Sequence, residues 1–331
     1  MDKLLFVAHD PGGSDVIVPT YEYVAEKTDG KVEVKLFLLG PSGSRIDRYA
    51  SGKEEVVRAM EDAAVSHGRT LVVTGTSWGV SYENEILAYA RELGIKTVSV
   101  LDYWSNYKKR FALKDGFVFP DTLFVMDELA KEEAIKDGID PSLIQIVGQP
   151  GLDKYVSLKA NHTPDNKKIL FLSQPLSLLY GRELGYTEED VLEDIFSLAQ
   201  KNDLECYVKF HPKDREDWKG KFRDCTVDTN LEDCVSEYGT IIGMSTMGLL
   251  QCRLMGGNVL SYQPGLVKED LCITNKLGIT DGIFSYEELE KQLLQGVANQ
   301  EKGQYYLWMD GNSTKRCGDR VLQLLAGGKG E

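Results

Sequence analysis

Leu4-Leu5-Phe6-Val7-Ala8-His9-Asp10-Pro11-Gly12-Gly13-Ser14-Asp15 is the stretch whose reading decides the fold. Leu4 to His9 is a short, continuous apolar run, which reads as a buried strand. A Gly-containing turn follows, and Asp15 to Glu26 reads as a helix. The rest of the first half repeats this pattern. Strands are expected at Val32–Leu39, Leu71–Thr74, Thr97–Leu101, Leu123–Met126 and Ile144–Val147. Helices are expected at Glu54–His67, Tyr82–Leu93 and Glu128–Lys136. Repeated β-α-β order with β-branched strands implies a parallel sheet covered on both faces.

Lys154–Lys168 lacks periodicity and contains Ser, Asn, Thr and Pro, so it reads as an interdomain linker. The alternation then restarts. Strands are expected at Ile169–Ser173, Glu205–Phe210, Thr240–Gly243 and Asn258–Tyr262. Helices are expected at Glu188–Gln200, Asn230–Glu237, Thr246–Met255 and Tyr286–Leu294, and a last helix at Thr314–Leu325 runs into a Gly-rich tail. A chain of 331 residues is also long enough for about two domains. The expected architecture is α/β, with two Rossmann-like doubly wound domains facing a cleft. The expected bounds are 1–153, 167–312, and a C-terminal helix and tail at 313–331.

The net charge is −14, so the surface repels polyanions, and a general nucleic-acid binder is excluded. One nucleotide can still be held by a few local donors. The six cysteines are scattered through the second half without a C-x-x-C pair, which fits a reduced, cytoplasmic protein. No apolar run approaches the roughly 18 residues of a membrane span. A membrane-borne acceptor can still be reached by peripheral association with a surface.

In open parallel sheets, ligands bind beyond the carboxyl ends of the strands. The residues that follow each strand are therefore the candidates. Gly12 and Gly13 let the backbone pass close to a ligand before a helix N-terminus, with His9 or Asp10 as a base; the alternative is a tight turn capped by Ser14 or Asp15. Thr74-Gly75-Thr76-Ser77-Trp78 suits a polar ligand edge but suits a loop and helix cap better. Asp102 ends an apolar strand, where desolvation raises a carboxyl toward a useful general base. Tyr103, Trp104 and Tyr107 beside it are placed to stack on a sugar or base; the alternative is an Asp held by loop amides.

The second half offers a matching set. Ser173 and Gln174 end its first strand and can donate to phosphate or carboxylate oxygens; the alternative is an ordinary strand-to-loop transition. His211 follows the next strand, fixed by Pro212, with Lys209 and Lys213 adding positive charge. Ser245 and Thr246 precede an apolar helix and make either an anion site or a plain N-cap. Gln263, in Leu260-Ser261-Tyr262-Gln263-Pro264-Gly265, ends a further strand and is a weaker candidate to line the same pocket.

In chain order, Ser-Gln-Pro-Leu (173–176), Lys-Phe-His-Pro (209–212) and Gly-Met-Ser-Thr (243–246) resemble bacterial sialyltransferases and polysialyltransferases of the glycosyltransferase-B fold. The resemblance covers the second half closely and the first half in outline. It implies that His211 and Ser245 or Thr246 hold the CMP part of a nucleotide-sugar donor. It also implies an acidic base in the first domain, where only Asp102 of Leu101-Asp102-Tyr103 matches the family motif. Fold and loops are similar, too, to UDP-N-acetylglucosamine 2-epimerases and CDP-glycerol transferases. An epimerase is expected to carry an acidic residue in the helix after the Ser motif, where this chain has Gln251-Cys252.

The expected activity is transfer of a sugar from a CMP- or other nucleotide-activated donor to a saccharide or glycolipid acceptor. The donor phosphate is expected at Ser173, His211, Ser245 and Thr246, with the acceptor over Gly12-Gly13 and its proton taken by Asp102, Asp10 or His9. No Asp-x-Asp motif is placed to hold Mg²⁺, so neither metal nor further cofactor is expected. The rivals are a sugar-nucleotide epimerase or hydrolase, and a non-catalytic sugar-nucleotide-binding protein.

Overall fold

A computed structural model describes all residues except 47–48, 79–81, 159–163, 296–306 and 328–331. It divides into two compact units, Met1–Asp153 with Leu307–Glu331, and Lys154–Tyr306. In the first unit the strands are β1 (Lys3–Ala8), β2 (Glu33–Leu38), β3 (Thr70–Thr74), β4 (Lys96–Val100), β7 (Thr122–Val125) and β8 (Ile144–Ile146). They form one sheet in the order β2-β1-β3-β4-β7-β8, with every pairing parallel. A two-stranded hairpin, β5 (Ala112–Leu113) with β6 (Gly116–Phe117), stands apart from it. The second unit has β9 (Asp165–Leu172), β10 (Glu205–Lys209), β11 (Tyr238–Gly243), β12 (Val259–Tyr262) and β13 (Gly282–Ile283), all parallel, in the order β10-β9-β11-β12-β13.

The doubly wound α/β fold read from the sequence is therefore present in both units. In each, the first strand is internal and the winding direction reverses beside it. The reversals fall between β1 and β3 and between β9 and β11, and such switch points open a crevice at the carboxyl ends of the strands.

Side-chain alternation along β1 builds two layers. Leu4, Phe6 and Ala8 pack with Val16, Ile17 and Val24 of the helix Pro11–Thr28. Leu5 and Val7 pack on the opposite face with Val56, Met60, Ile86 and Ala90. Each fully buried side chain of this size stabilises by about 1.5–3 kcal/mol. The helix begins at Pro11 rather than Asp15, with Asp10 as its extended N-cap residue. Proline's fixed φ suits the first helical position, where its missing N–H costs nothing. Gly12 and Gly13 thus lie in the first helical turn instead of a loop, and Ser14 Oγ donates to Pro11 O instead of capping.

The last helix, Ser313–Leu325, returns to the first unit. Cys317, Val321 and Leu325 join the layer of Leu4 and Phe6. Tyr23 Oη donates to Asp319 at 2.9 Å. The return starts at Leu307, inside the span read as second domain, because Trp308 is tied to the first unit: its indole N–H donates to Glu128 at 2.9 Å. The segment read as a linker carries secondary structure on both sides of residues 159–163, which lie outside the described residues. Asp153–Ser157 is helical, and β9 starts at Asp165, where Asp165 pairs with Tyr238. Three polar residues, Asn166, Lys167 and Lys168, precede the apolar part of β9 and hide that beginning from an apolar pattern.

Asp127 caps the helix Glu128–Lys136, accepting from Ala130 N–H at 2.8 Å, and Trp104 Nε1–H donates to its other oxygen at 2.8 Å. Burial pushes its carboxyl up to about 6 despite these donors. The folded state therefore holds a proton that the unfolded state has released between about pH 4 and pH 6. Stability from this group is present below that window and lost as pH rises through it. The stability of the native protein minus that of Asp127→Asn is expected to fall by about 2 kcal/mol from pH 4 to pH 6. A flat difference in urea unfolding across this window would contradict the assignment.

Candidate functional site

At the switch point of the first unit, three strand ends meet. The loop after β1 carries His9 and Asp10, and His9 Nδ1 lies 3.0 Å from Asp10 Oδ1. The loop after β3 carries Gly75, Thr76 and Ser77. A Cβ on Gly75 would stand 2.9 Å from Gly13 Cα, so helix and loop touch backbone to backbone. Asp102 follows β4, and a Cβ on Gly12 would collide with Asp102 Oδ2. Gly12, Gly13 and Gly75 are required here by close approach, not by an unusual φ.

Asp102 is not the isolated, desolvated carboxyl anticipated from its place after an apolar strand. Arg110 Nη1 donates to its Oδ1 at 2.6 Å, with side chains only 7% and 17% exposed for Arg110 and Asp102. Thr76 Oγ1 donates to the same oxygen at 3.2 Å and accepts from Arg110 Nη1 at 3.0 Å. Arg110 Nε also donates to Ser105 O at 3.0 Å. A buried charge pair of this kind is costly to break from one side, about 3–5 kcal/mol. The stacking role suggested for the neighbouring aromatics fails for two of them. Trp104 is 2% exposed with its N–H on Asp127, and Tyr107 is buried with its hydroxyl on Glu133.

Glu83 was not singled out in the sequence. It is buried at the start of the helix Tyr82–Glu92, where it accepts from His9 N–H at 2.8 Å and from Ser77 Oγ at 2.9 Å. One carboxylate thus ties the loops on both sides of the switch point. Neither Glu83 nor Arg110 carries a sequence signal. Glu83 resembles any acidic first-turn residue, and Arg110 sits in a basic run.

In the second unit, Ser173 and Gln174 follow β9, His211 and Pro212 follow β10, and Ser245 and Thr246 follow β11. These are three adjacent strands, so the residues share one edge of the sheet, with neighbouring strands about 4.8 Å apart. Ser245 Oγ donates to Gln174 Oε1 at 3.2 Å, across the β9/β11 switch point. Thr246, rather than Ser245, caps the helix Met247–Leu254, accepting from Gly248 N–H at 3.2 Å.

His211 is set by its own loop. Lys213 N–H donates to His211 Nδ1 at 3.1 Å, and His211 N–H donates to Asp214 Oδ2 at 2.7 Å. An acceptor Nδ1 fixes the tautomer, leaving Nε2–H as a donor. The residue is exposed overall, yet partial sheltering of the ring draws its pKa below the usual histidine value, against the pull of Asp214. Asp214 is buried, and that burial raises its carboxyl, opposed by Ser173 and by the His211 N–H. Ser173 Oγ and Asp214 Oδ1 are both buried without a hydrogen-bond partner among the described residues.

Two expected ligand contacts are engaged by other groups of the chain. Lys209 Nζ bonds the carbonyl of Thr229. Gln263 is buried, accepting from Tyr186 Oη at 3.1 Å and donating to Asp270 Oδ1 at 2.7 Å. Its amide belongs to an internal polar network that also includes Ser261 and Asn275. All six cysteines are free. Among the described residues, no group of three or more His, Cys, Asp or Glu is arranged to hold a metal, and no helix is long and apolar enough to cross a membrane.

No family model and no curated protein matches the sequence. Solved structures do match across nearly the whole chain. A putative UDP-N-acetylglucosamine 2-epimerase from Listeria monocytogenes aligns with a TM-score of 0.68 at 12% identity, covering 99% of this chain and 97% of that one. UDP-GlcNAc 2-epimerase from Neisseria meningitidis, solved bound to UDP-GlcNAc, aligns with a TM-score of 0.61 at 11% identity, covering 97% and 100%. MurG from Acinetobacter baumannii aligns with a TM-score of 0.54 at 12% identity, covering 97% and 99%. At this identity the likeness establishes the fold. The chain has the glycosyltransferase-B architecture of two Rossmann-like domains.

Gly12→Ala tests the contact with Asp102. Alanine favours a helix over glycine by about 1 kcal/mol. Displacing Asp102 from Arg110 costs more than that, so a net loss of about 1–3 kcal/mol is expected in urea unfolding. In a double-mutant cycle with Asp102→Ser, the two changes are expected to couple by at least about 1 kcal/mol; simple additivity would mean that they do not touch.

Proposed function

We propose that this chain is an enzyme acting on a nucleotide-activated sugar, of the UDP-N-acetylglucosamine 2-epimerase or sugar-nucleotide hydrolase kind. The observation that supports the reading is the Ser245–Gln174 contact across the β9/β11 switch point, with Thr246 beside it and His211 following the neighbouring strand β10. Nε2–H of His211, the hydroxyls and the amides at the start of the helix Met247–Leu254 form a donor set suited to a phosphate or ribose. This reading gains support from the architecture shared with epimerases, one of them solved with UDP-GlcNAc. In the first unit, the His9–Asp10 pair is assigned to proton transfer. Asp102, held by Arg110, supplies a fixed negative charge for a sugar hydroxyl.

One observation favours a second reading, glycosyl transfer to a saccharide acceptor. The helix after the Ser-Thr motif carries Gln251 where an epimerase is expected to have an acidic residue. The sialyl donor specificity implied by the motifs rests on that resemblance alone.

Incubation with UDP-N-acetylglucosamine and, separately, CMP-sugars, with and without saccharide acceptors, separates the readings. Epimerised sugar or nucleotide release independent of acceptor is the expected result. Release that requires an acceptor would move the assignment to transfer, and absence of turnover with every donor would reduce the protein to a binder. His211→Ala is expected to raise the Kd for UDP about tenfold, the worth of roughly one charge-assisted hydrogen bond. An unchanged Kd by calorimetry would remove His211 from the site.

A further inference from the structure

On the outer edge of the first unit's sheet, a cavity of about 550 Å³ lies between β8 and the last helix. That size suits a small-molecule ligand. Its charge is unusual for a protein of net charge −14. Lys131, Arg316 and Arg320 line it, against one carboxylate, Asp319. Asp319 is already committed: Lys27, Lys315 and Tyr23 all bind it, and these donors hold its carboxyl at about 2. Arg316 is paired with Asp310. Lys131 and Arg320 have no carboxylate partner among the described residues.

The neutral groups add to the imbalance. Arg320 Nε donates to Gln145 Oε1 at 2.6 Å, and its Nη1 donates to Gln323 Oε1. Both glutamine oxygens are thereby occupied, which leaves their NH₂ groups as donors, together with the remaining N–H groups of Arg320 and the Lys131 ammonium. Ile146 and Trp308 supply an apolar wall. A half-buried, donor-rich pocket with excess positive charge is unfavourable when empty of anions and favourable around one.

We propose that this cavity is a binding site for a small anion with an apolar or planar body, carrying a phosphate, carboxylate or sulfonate group. It is separate from the nucleotide-sugar site proposed above and does not rest on that reading.

The probe is 8-anilinonaphthalene-1-sulfonate, added to the full chain and followed by its own fluorescence and by energy transfer from tryptophan. Saturable binding of one equivalent is expected, displaced by inorganic pyrophosphate and weakened by salt. Lys131→Gln removes no partner and is expected to raise the Kd severalfold; Lys131→Gln with Arg320→Gln is expected to raise it at least tenfold. Lys131→Arg is expected to restore binding, and Trp308→Phe to reduce the energy transfer per bound probe. Non-saturable binding, or a Kd indifferent to Lys131→Gln, would overturn the proposal. Displacement by polyglutamate but not by pyrophosphate would replace the small anion with an acidic peptide on the β8 edge. Loss of the signal with rising protein concentration, alongside dimer formation, would give the face to a second copy of the chain.

Discussion

A parallel strand cannot turn directly back onto its neighbour; the chain must cross over through a helix before the next strand begins. That constraint places every strand-to-helix loop of a sheet on the same side. Where the winding reverses, two such loops part and leave a crevice whose rim is backbone amides and short polar side chains. Both units of this protein are built this way, and each candidate group follows from it. His9, Thr76 and Asp102 collect beside one reversal, and Gln174 and Ser245 meet at the other with His211 on the strand next to it, although neither set is contiguous in the chain.

The two rims are held by different physics. In the first unit the fixing element is charge. Arg110 is too deeply buried to go unpaired, so Asp102 and Thr76 are locked around it, and Glu83 binds the loops on either side. In the second unit the fixing element is local geometry. The turn after β10 folds on itself through Asp214 and Lys213, and this sets one histidine tautomer without any charged partner on the ring. The first arrangement suits moving protons or orienting hydroxyls. The second presents neutral donors, which bind an anion without burying a second charge.

Much of this was legible in the sequence, for a physical reason. Apolar runs and helical spacing record which faces are buried, so the strands and the doubly wound order could be read directly, along with the residues that follow each strand. The sequence carries no record of partners brought together by folding. Asp102 looked like a lone carboxylate because nothing in Lys108-Lys109-Arg110 marks the third residue as buried. Gly12 and Gly13 read as loop residues because their role, close contact with Asp102 and Thr76, lies across the sheet. Lys209 and Gln263 stand at strand ends like their neighbours, yet their side chains turn to Thr229 and to the Tyr186–Asp270 network. Position along a strand fixed which residues reached the rim; only packing decided which of them remained available there.

The return of the last helix to the first unit also bears on the birth of the chain. Leu4 and Phe6 share their layer with Cys317, Val321 and Leu325, which are synthesised only after the whole second unit. The second unit is continuous in sequence and can complete its core as it emerges. The first must wait, with part of one sheet layer bare to solvent, until the last helix has been made, so its nascent form exposes apolar surface for longer.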